Sequence, residues 1–287
     1  MEHKIVILLA VVHLFGSTFG YVHDYHLSDV VDVTLSKSTS NNITELQTAP
    51  IITAANPFGL PGISENTRKD IIIVDGDVAS PVGQARTLFK STQRWPRGIV
   101  PVELDNAYSN NQKNIILTAM SKISQATNNC IRFVWRGNNP YWLRIHPGNG
   151  CWSYLGKIVN NGRQDLSLQN PACVHEGTVI HELLHALGHV HEHNRPDRDA
   201  WVRINWGNIS PGTQSNFNKY SAGEVDTFNY PYDYGSIMHY HSTAFSKNGH
   251  RTIETIRPGF ENYVNSIGRS GRLAGWDIEK LKKRYGC

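Results

Sequence analysis

The stretch "HELLHALGHVH", residues 181–191, restricts the fold of this chain more than any other part of it. His181 and His185 are four residues apart. On an α-helix that spacing puts both imidazoles on one face, about 6 Å apart along the axis, where both reach a single ion. His189 continues the face but would stand about 12 Å from His181, too far for a tetrahedral centre with bonds of about 2 Å. Gly188 supplies the alternative. Glycine accepts a left-handed conformation at a helix end at little steric cost, so the chain turns there and His191 faces back toward the pair. His189 and His193 alternate with His191 in the turned segment and are expected to point away, as packed or exposed histidines.

Glu182 follows the first candidate ligand and is rotated about 100° around the helix. It can reach a metal-bound water without ligating the ion itself. Structural zinc sites close their fourth position with a protein ligand, whereas three histidines beside a free carboxylate leave that position for water. The pattern therefore points to a catalytic zinc. None of the four cysteines forms a CxxC pair, so a thiolate zinc site is not expected.

The rest of the chain sets the context. Lys4 precedes the apolar run "IVILLAVVHLF" (5–15), and small residues follow in "GSTFG". The run is too short to span a bilayer and suits a signal peptide over 1–20, so the mature chain is expected to be secreted, with no stable membrane anchor. In an oxidising compartment Cys130, Cys151, Cys173 and Cys287 suggest two disulfides, and spacing alone leaves three pairings open. All seven tryptophans and all four cysteines lie beyond residue 87. Before it come polar, turn-rich stretches such as "SKSTSNN" and "NPFGLPG", with little to build a core. The expected division is signal peptide (1–20), a weakly packed propeptide (21–86) and one compact domain (87–287). The net charge of +4 is small and the basic residues are scattered, which argues against nucleic acid as a partner.

Within the compact domain the pattern is mixed α and β. "GIVPVEL" (98–104) reads as a strand, with Pro101 favouring an edge or a bulge. Ile115, Ile116, Ala119, Met120 and Ile123 are spaced for an amphipathic helix over 111–127. "CIRFVWR" (130–136) and "YWLRIH" (141–146) read as strands around the turn "GNNP". The histidine helix is expected to begin near Thr178 as its N-cap. Loops follow Gly188, and Ile278, Leu281 and Tyr285 mark a terminal helix.

With these residues identified, the sequence resembles the astacin family of metzincin zinc endopeptidases. "HEHNRPDRD" (191–199) is similar to the family's continuation after the third histidine. "YGSIMHY" (234–240) is similar to its Met-turn, and "AFSKNG" (244–249) follows in the expected place. "CIRFVW" and "WDIEKLKKRYGC" also fit, so the resemblance covers 87–287. It implies an α+β, two-lobed zincin fold: a twisted N-terminal sheet with helices, the active-site helix at the cleft floor, and an irregular C-terminal lobe ending in a helix. One Zn2+ would be held by His181, His185 and His191, with Glu182 as general base. Met238 would lie beneath the ligands, and Tyr240 would be a switchable zinc ligand that moves aside to assist catalysis. The resemblance also implies the pairings Cys130–Cys287 and Cys151–Cys173.

The resemblance extends upstream. "VDGDV" (74–78) is similar to a propeptide motif whose aspartate, here Asp77, ligates zinc in the zymogen, although Val74 stands where the family usually has an aromatic residue. An activating protease would cut near Arg86, with Lys90 and Arg94 as other basic candidates, and the new N-terminus would approach Glu192. Protein or peptide substrates would lie extended along the sheet edge, a groove that the propeptide fills until its removal, and the molecule would be a monomer. Arg269 and Arg272 lie in a loop that can shape the pocket just past the scissile bond, which favours acidic residues there. Asn42 and Asn208 head glycosylation sequons, the second followed by Pro211. No CUB-like or EGF-like segment is seen after the catalytic domain, so no tether to matrix is expected. A secreted zinc-containing binding protein would lack Glu182 or a ligand. A two-histidine protease with a distant glutamate ligand would lack the glycine-then-histidine continuation. Neither departure is present.

Overall fold

The computed structural model describes residues 71–82 and 94–287. The expected signal peptide (1–20), Asn42, Arg86 and Lys90 lie outside the described residues. The strands are β1 (Ile71–Val74), β2 (Val78–Pro81), β3 (Ile99–Leu104), β4 (Arg132–Trp135), β5 (Tyr141–His146), β6 (Cys151–Tyr154), β7 (Gly162–Leu168), β8 (Val202–Ile204) and β9 (Ile253–Thr255). The helices are α1 (Asn110–Ala126), α2 (Glu176–Ala186) and α3 (Gly275–Tyr285), and short 3-10 turns fill much of the region after α2. The fold is α+β.

Seven strands form one sheet in the order β1-β2-β6-β7-β5-β3-β4, and β8 pairs with β9 alone. Helix α1 follows from its sequence. Ser109 and Gln112 close a capping box at its start, and Ile116, Ala119, Met120 and Ile123 bury one face. That face meets Val179, Ile180, Leu183 and Leu184 of α2 and Val102, Leu143, Ile145 and Leu166 of the sheet in one core. Each large aliphatic side chain buried there contributes roughly 1.5–3 kcal/mol. A second cluster, built on Phe217, Tyr232, Tyr234, Tyr240 and Phe245, forms the C-terminal core. Cys130–Cys287 ties the chain just ahead of β4 to the residues just past α3, and Cys151–Cys173 joins β6 to the turn before α2. The first closes a loop with a sequence separation of 157, for which chain entropy in the unfolded state predicts about 5 kcal/mol of stabilisation.

Some expectations need correction. Thr178 is not the N-cap; His175 is, and α2 starts at Glu176. The acidic first turn suits the helix dipole, and Glu176 also pairs with Lys122 of α1 at 2.5 Å, which extends the helix backward. β3 is an interior strand rather than an edge. Its register with β5 begins only at Val102, so Pro101 precedes that ladder, where its missing N–H costs no bond to β5. Segment 71–82, expected to be weakly packed, is also better packed than its neighbourhood suggests. Ile71 and Ala79 are buried against Trp152 and Tyr154. β1 and β2 form a hairpin, and β2 adds to β6 in parallel through Val78↔Ser153 and Ala79↔Tyr154.

Candidate metal centre

Helix α2 ends as the glycine predicts. Gly188 takes φ +97°. Its N–H donates to the His185 carbonyl at 2.8 Å, and the His189 N–H donates to the Leu184 carbonyl at 2.9 Å, the pair of bonds that defines a Schellman stop. The chain reverses, and the Glu192 N–H donates to the Met238 carbonyl at 3.0 Å, which pins the returning segment beside the turn at 236–239.

His181, His185 and His191 thereby converge, and Asp77 from the β1–β2 turn enters the same point. The Asp77 carboxylate lies 3.2 Å from His181 Nε2, 3.3 Å from His185 Nε2 and 3.2 Å from His191 Nε2. His181 Nε2 and His191 Nε2 are 3.3 Å apart. A tetrahedron with metal–ligand bonds of about 2.0–2.1 Å has edges of about 3.3 Å. Asp77 Oδ1 and His185 Nε2 are buried and make no hydrogen bond among the described residues despite this proximity. These separations match that edge, all the ligand atoms lie within 4.8 Å of one another, and the group fits one zinc ion. The outer nitrogens orient two of the rings: His181 Nδ1 donates to the Ile237 carbonyl at 2.9 Å and His185 Nδ1 to the His189 carbonyl at 2.7 Å. Each bond leaves the Nε2 lone pair for a metal.

Electrostatics follow from burial and from this crowding. Burial alone would raise the pKa of Asp77, but His191, His185 and His181 outweigh it and hold the carboxyl well below its usual range. Burial lowers His191 to about 4 and also lowers His181, so both rings are neutral ligands near pH 7. Glu182 is fully buried, and neither of its carboxylate oxygens has a hydrogen-bond partner among the described residues. Burial, and then the charge of Asp77, pushes it well above the ordinary carboxylate range.

The other predicted residues are placed as follows. His189 and His193 point away from the centre and are buried, and the His193 ring stacks on Tyr240 with centroids 3.8 Å apart. Tyr240 is fully buried, 4.7 Å from His191 by ring centroids, and its hydroxyl donates to the Asp75 carbonyl. Met238 is buried in the main core. The Glu192 carboxylate accepts from Lys280 Nζ at 2.6 Å, Arg195 Nη1 at 2.9 Å and the Asp233 N–H at 2.9 Å. Arg269 and Arg272 are exposed in a loop whose Gly271 packs against Gly177, in the first turn of α2. The Asn208 side chain donates to the Arg251 carbonyl and accepts from Asn248, so both ends of its amide are engaged. Arg94 donates to the Arg284 carbonyl at 2.5 Å.

Sequence reasoning passed over Asp277. It is buried on α3 and accepts from the Ser236 hydroxyl at 2.6 Å and the Ile237 N–H at 3.0 Å, so it fixes the turn that carries the His181 acceptor. Only the position of "WDIEKL" at a helix start hinted at it.

A buried three-histidine centre with an adjacent carboxylate, on a helix that ends in a glycine turn, defines a zincin-type metallopeptidase site. Residues 87–286 match the peptidase family described as Astacin, and the chain belongs to that family. It is similar to zinc metalloproteinase nas-6 of Caenorhabditis elegans, 44% identical over 193 residues, covering 67% of this chain and 54% of that protein. Nas-14 of the same organism is 33% identical over 274 residues, covering 92% of this chain and 52% of its own length, so the chain spans about half the length of these two relatives. A solved structure of high choriolytic enzyme 1, a hatching-enzyme zinc protease from Oryzias latipes, superposes with a TM-score of 0.60 at 38% identity. That match covers 68% of this chain and 94% of the other.

Proposed function

We propose that this chain is the precursor of a secreted zinc endopeptidase. The observation that carries the reading is the convergence of His181, His185, His191 and Asp77, whose ligand atoms all lie within 4.8 Å of one another, beside a buried Glu182 whose carboxylate has no partner among the described residues. In the precursor Asp77 would hold the ion together with the three histidines. Cleavage near Arg86 removes it and leaves the three histidines with room for water and a peptide. Zinc at this centre supplies a Lewis acid that polarises the scissile carbonyl and acidifies water.

The remaining work belongs to the chain. Glu182 accepts the attacking water's proton and passes it to the departing amine, a role that its elevated affinity for protons favours. Tyr240, freed from the Asp75 carbonyl, donates to the developing oxyanion, a contribution of roughly 3 kcal/mol in comparable sites. His193, stacked on the Tyr240 ring, sets the plane from which that hydroxyl swings. With β2 gone, β6 offers its free backbone edge to an extended substrate. The new N-terminus is drawn toward Glu192, where it competes with Lys280 and Arg195. Exposed Arg269 and Arg272, beside the start of α2, favour acidic residues just past the scissile bond. A peptide-library profile unchanged when both become alanine counts against that last assignment.

The central test is hydrolysis of denatured casein by the secreted product after mild trypsin treatment, beside Glu182→Gln. Activity that requires trypsin, is abolished by a chelator and falls by about a thousandfold or more in the variant is expected. Correctly processed, zinc-loaded protein that cleaves nothing in a broad substrate set overturns the reading.

A further inference from the structure

Tyr220 belongs to the catalytic part of the chain, is 4% exposed and has no role in the chemistry above. Its backbone is fixed from below: the Tyr220 N–H donates to the Asn194 carbonyl at 2.8 Å. The Asn194 side chain in turn donates to the carbonyls of Asn216 and Asn218 at 3.0 and 2.7 Å. The run 216–220 is therefore strapped to the segment that follows His191. From this position the Tyr220 hydroxyl donates to the Asp75 carboxylate.

Asp75 occupies a special place. It is 2% exposed, so its carboxylate depends on donors supplied by the protein. Its backbone carbonyl receives the Tyr240 hydroxyl, and two residues later Asp77 meets the histidines. A single pro-segment residue thus bridges two tyrosines of the catalytic part, one through its side chain and one through its main chain. The phenol of Tyr220 is held by its own fold, and its ligand is carried on the segment that processing removes.

We propose that Tyr220 forms a carboxylate-recognising subsite of the cleft, separate from the metal centre, whose internal ligand in the precursor is Asp75. The inference rests on the reading of 71–82 as a removable segment. It assigns the hold of that segment to two anchors: Asp77 at the metal and Asp75 at Tyr220. A peptide that repeats this hairpin turn in the cleft, with an acidic side chain two residues before the one that faces the metal, meets the same hydroxyl.

The test is a thermodynamic cycle. A fluorescein-labelled peptide of residues 69–82, with Asp75→Asn and Asp77→Asn versions, is titrated against processed, zinc-loaded protein and against Tyr220→Phe. Binding is read by anisotropy, and inhibition is read against each enzyme's own uninhibited rate. A hydrogen bond to a charged group predicts that Asp75→Asn weakens binding to the parent enzyme about tenfold or more. Tyr220→Phe should weaken the unmodified peptide to a similar degree, and the two changes together should add little further loss. Asp75→Asn and Tyr220→Phe effects that multiply independently, or an Asp75→Asn peptide that binds undiminished, overturn the proposal. A Tyr220→Met enzyme, with similar bulk and no donor, repeats the cycle should the Phe variant fold poorly. The Asp77→Asn peptide separates the two readings. Its undiminished binding would refute the metal-ligand role of Asp77, while Asp75–Tyr220 coupling would still stand on its own cycle.

Discussion

Replacing Gly76 with alanine should make the precursor leak activity. Gly76 sits at φ +87°, a conformation that costs an L-residue roughly 1–2 kcal/mol. A Cβ there would lie 2.5 Å from Tyr240 Oη and 3.1 Å from Phe245 Cζ. The first contact is about 1 Å inside ordinary van der Waals separation, and overpacking of that kind costs typically 1–3 kcal/mol. Neither side yields readily, because Tyr240 is fully buried and stacked on His193 while Gly76 is held between Asp75 and Asp77. The sum, about 2–5 kcal/mol, weakens the hold of the segment by about thirtyfold at least. The assay is turnover of a quenched fluorescent peptide by intact precursor never exposed to trypsin, with intactness verified by mass spectrometry before and after. The Gly76→Ala precursor should turn over at least about thirty times faster than the parent precursor. On the proposed removal of 71–82 the substitution leaves with it, so both proteins become the same molecule after processing and must then show the same kcat/KM. A Gly76→Ala precursor as silent as the parent would falsify the reasoning.

Other expectations are narrower. Lys280→Met breaks a buried pair, leaving Glu192 with Arg195 and one backbone donor, and should cost about 3 kcal/mol, or roughly 6–12 °C by calorimetry. A change under about 2 °C argues that the pair contributes little. Asp277 has its pKa raised by burial to about 6 in the folded protein. The folded state then binds more protons than the unfolded state between about pH 4 and 6, so stability falls as pH rises through that window, by roughly 3 kcal/mol. In Asp277→Asn the loss should be absent, and a stability difference between the two proteins that stays flat with pH contradicts the assignment. His185→Ala should reduce bound zinc from about one ion per chain to a small fraction, measured by atomic emission after gel filtration. His189→Ala should leave the zinc content intact, and equal zinc in both variants would redirect the search for ligands.

The metal helix was legible because its information is local. A helical period, a glycine at the stop and a histidine three residues later fix the geometry of His181, His185 and His191 within eleven residues. Strands β6 and β7 were not legible. β7 carries Gln164, Asp165 and Ser167 where a strand pattern calls for apolar residues, and the structure satisfies Gln164 and Ser167 with the Gly156 and Gly150 carbonyls. Bonds from Asp277 to the turn at 236–237, from Lys280 to Glu192 and from Tyr220 to Asp75 span 41, 88 and 145 residues. No periodicity announces such pairings. They arise when α3 and the β1–β2 hairpin dock, and propensity contains no trace of docking. The same reason misplaced the N-cap, since Glu176 is drawn into the helix partly by Lys122 on a neighbouring element.

The placement of β2 beside β6 has a consequence for how the chain survives its own synthesis. Without the hairpin, β6 would stand at the rim of the sheet with Trp152 and Tyr154 uncovered. Open strand rims template pairing between molecules, and crowded, newly made chains are the most exposed to that hazard. While attached, the hairpin caps the rim with its own backbone and the apolar faces of Ile71 and Ala79. The hairpin in this sense chaperones the sheet it joins. On the proposed removal of 71–82 that cover is lost, and the colloidal behaviour of the protein should then depend on how often the groove is filled. Preparations stored with a bound peptide should outlast empty ones at the same concentration.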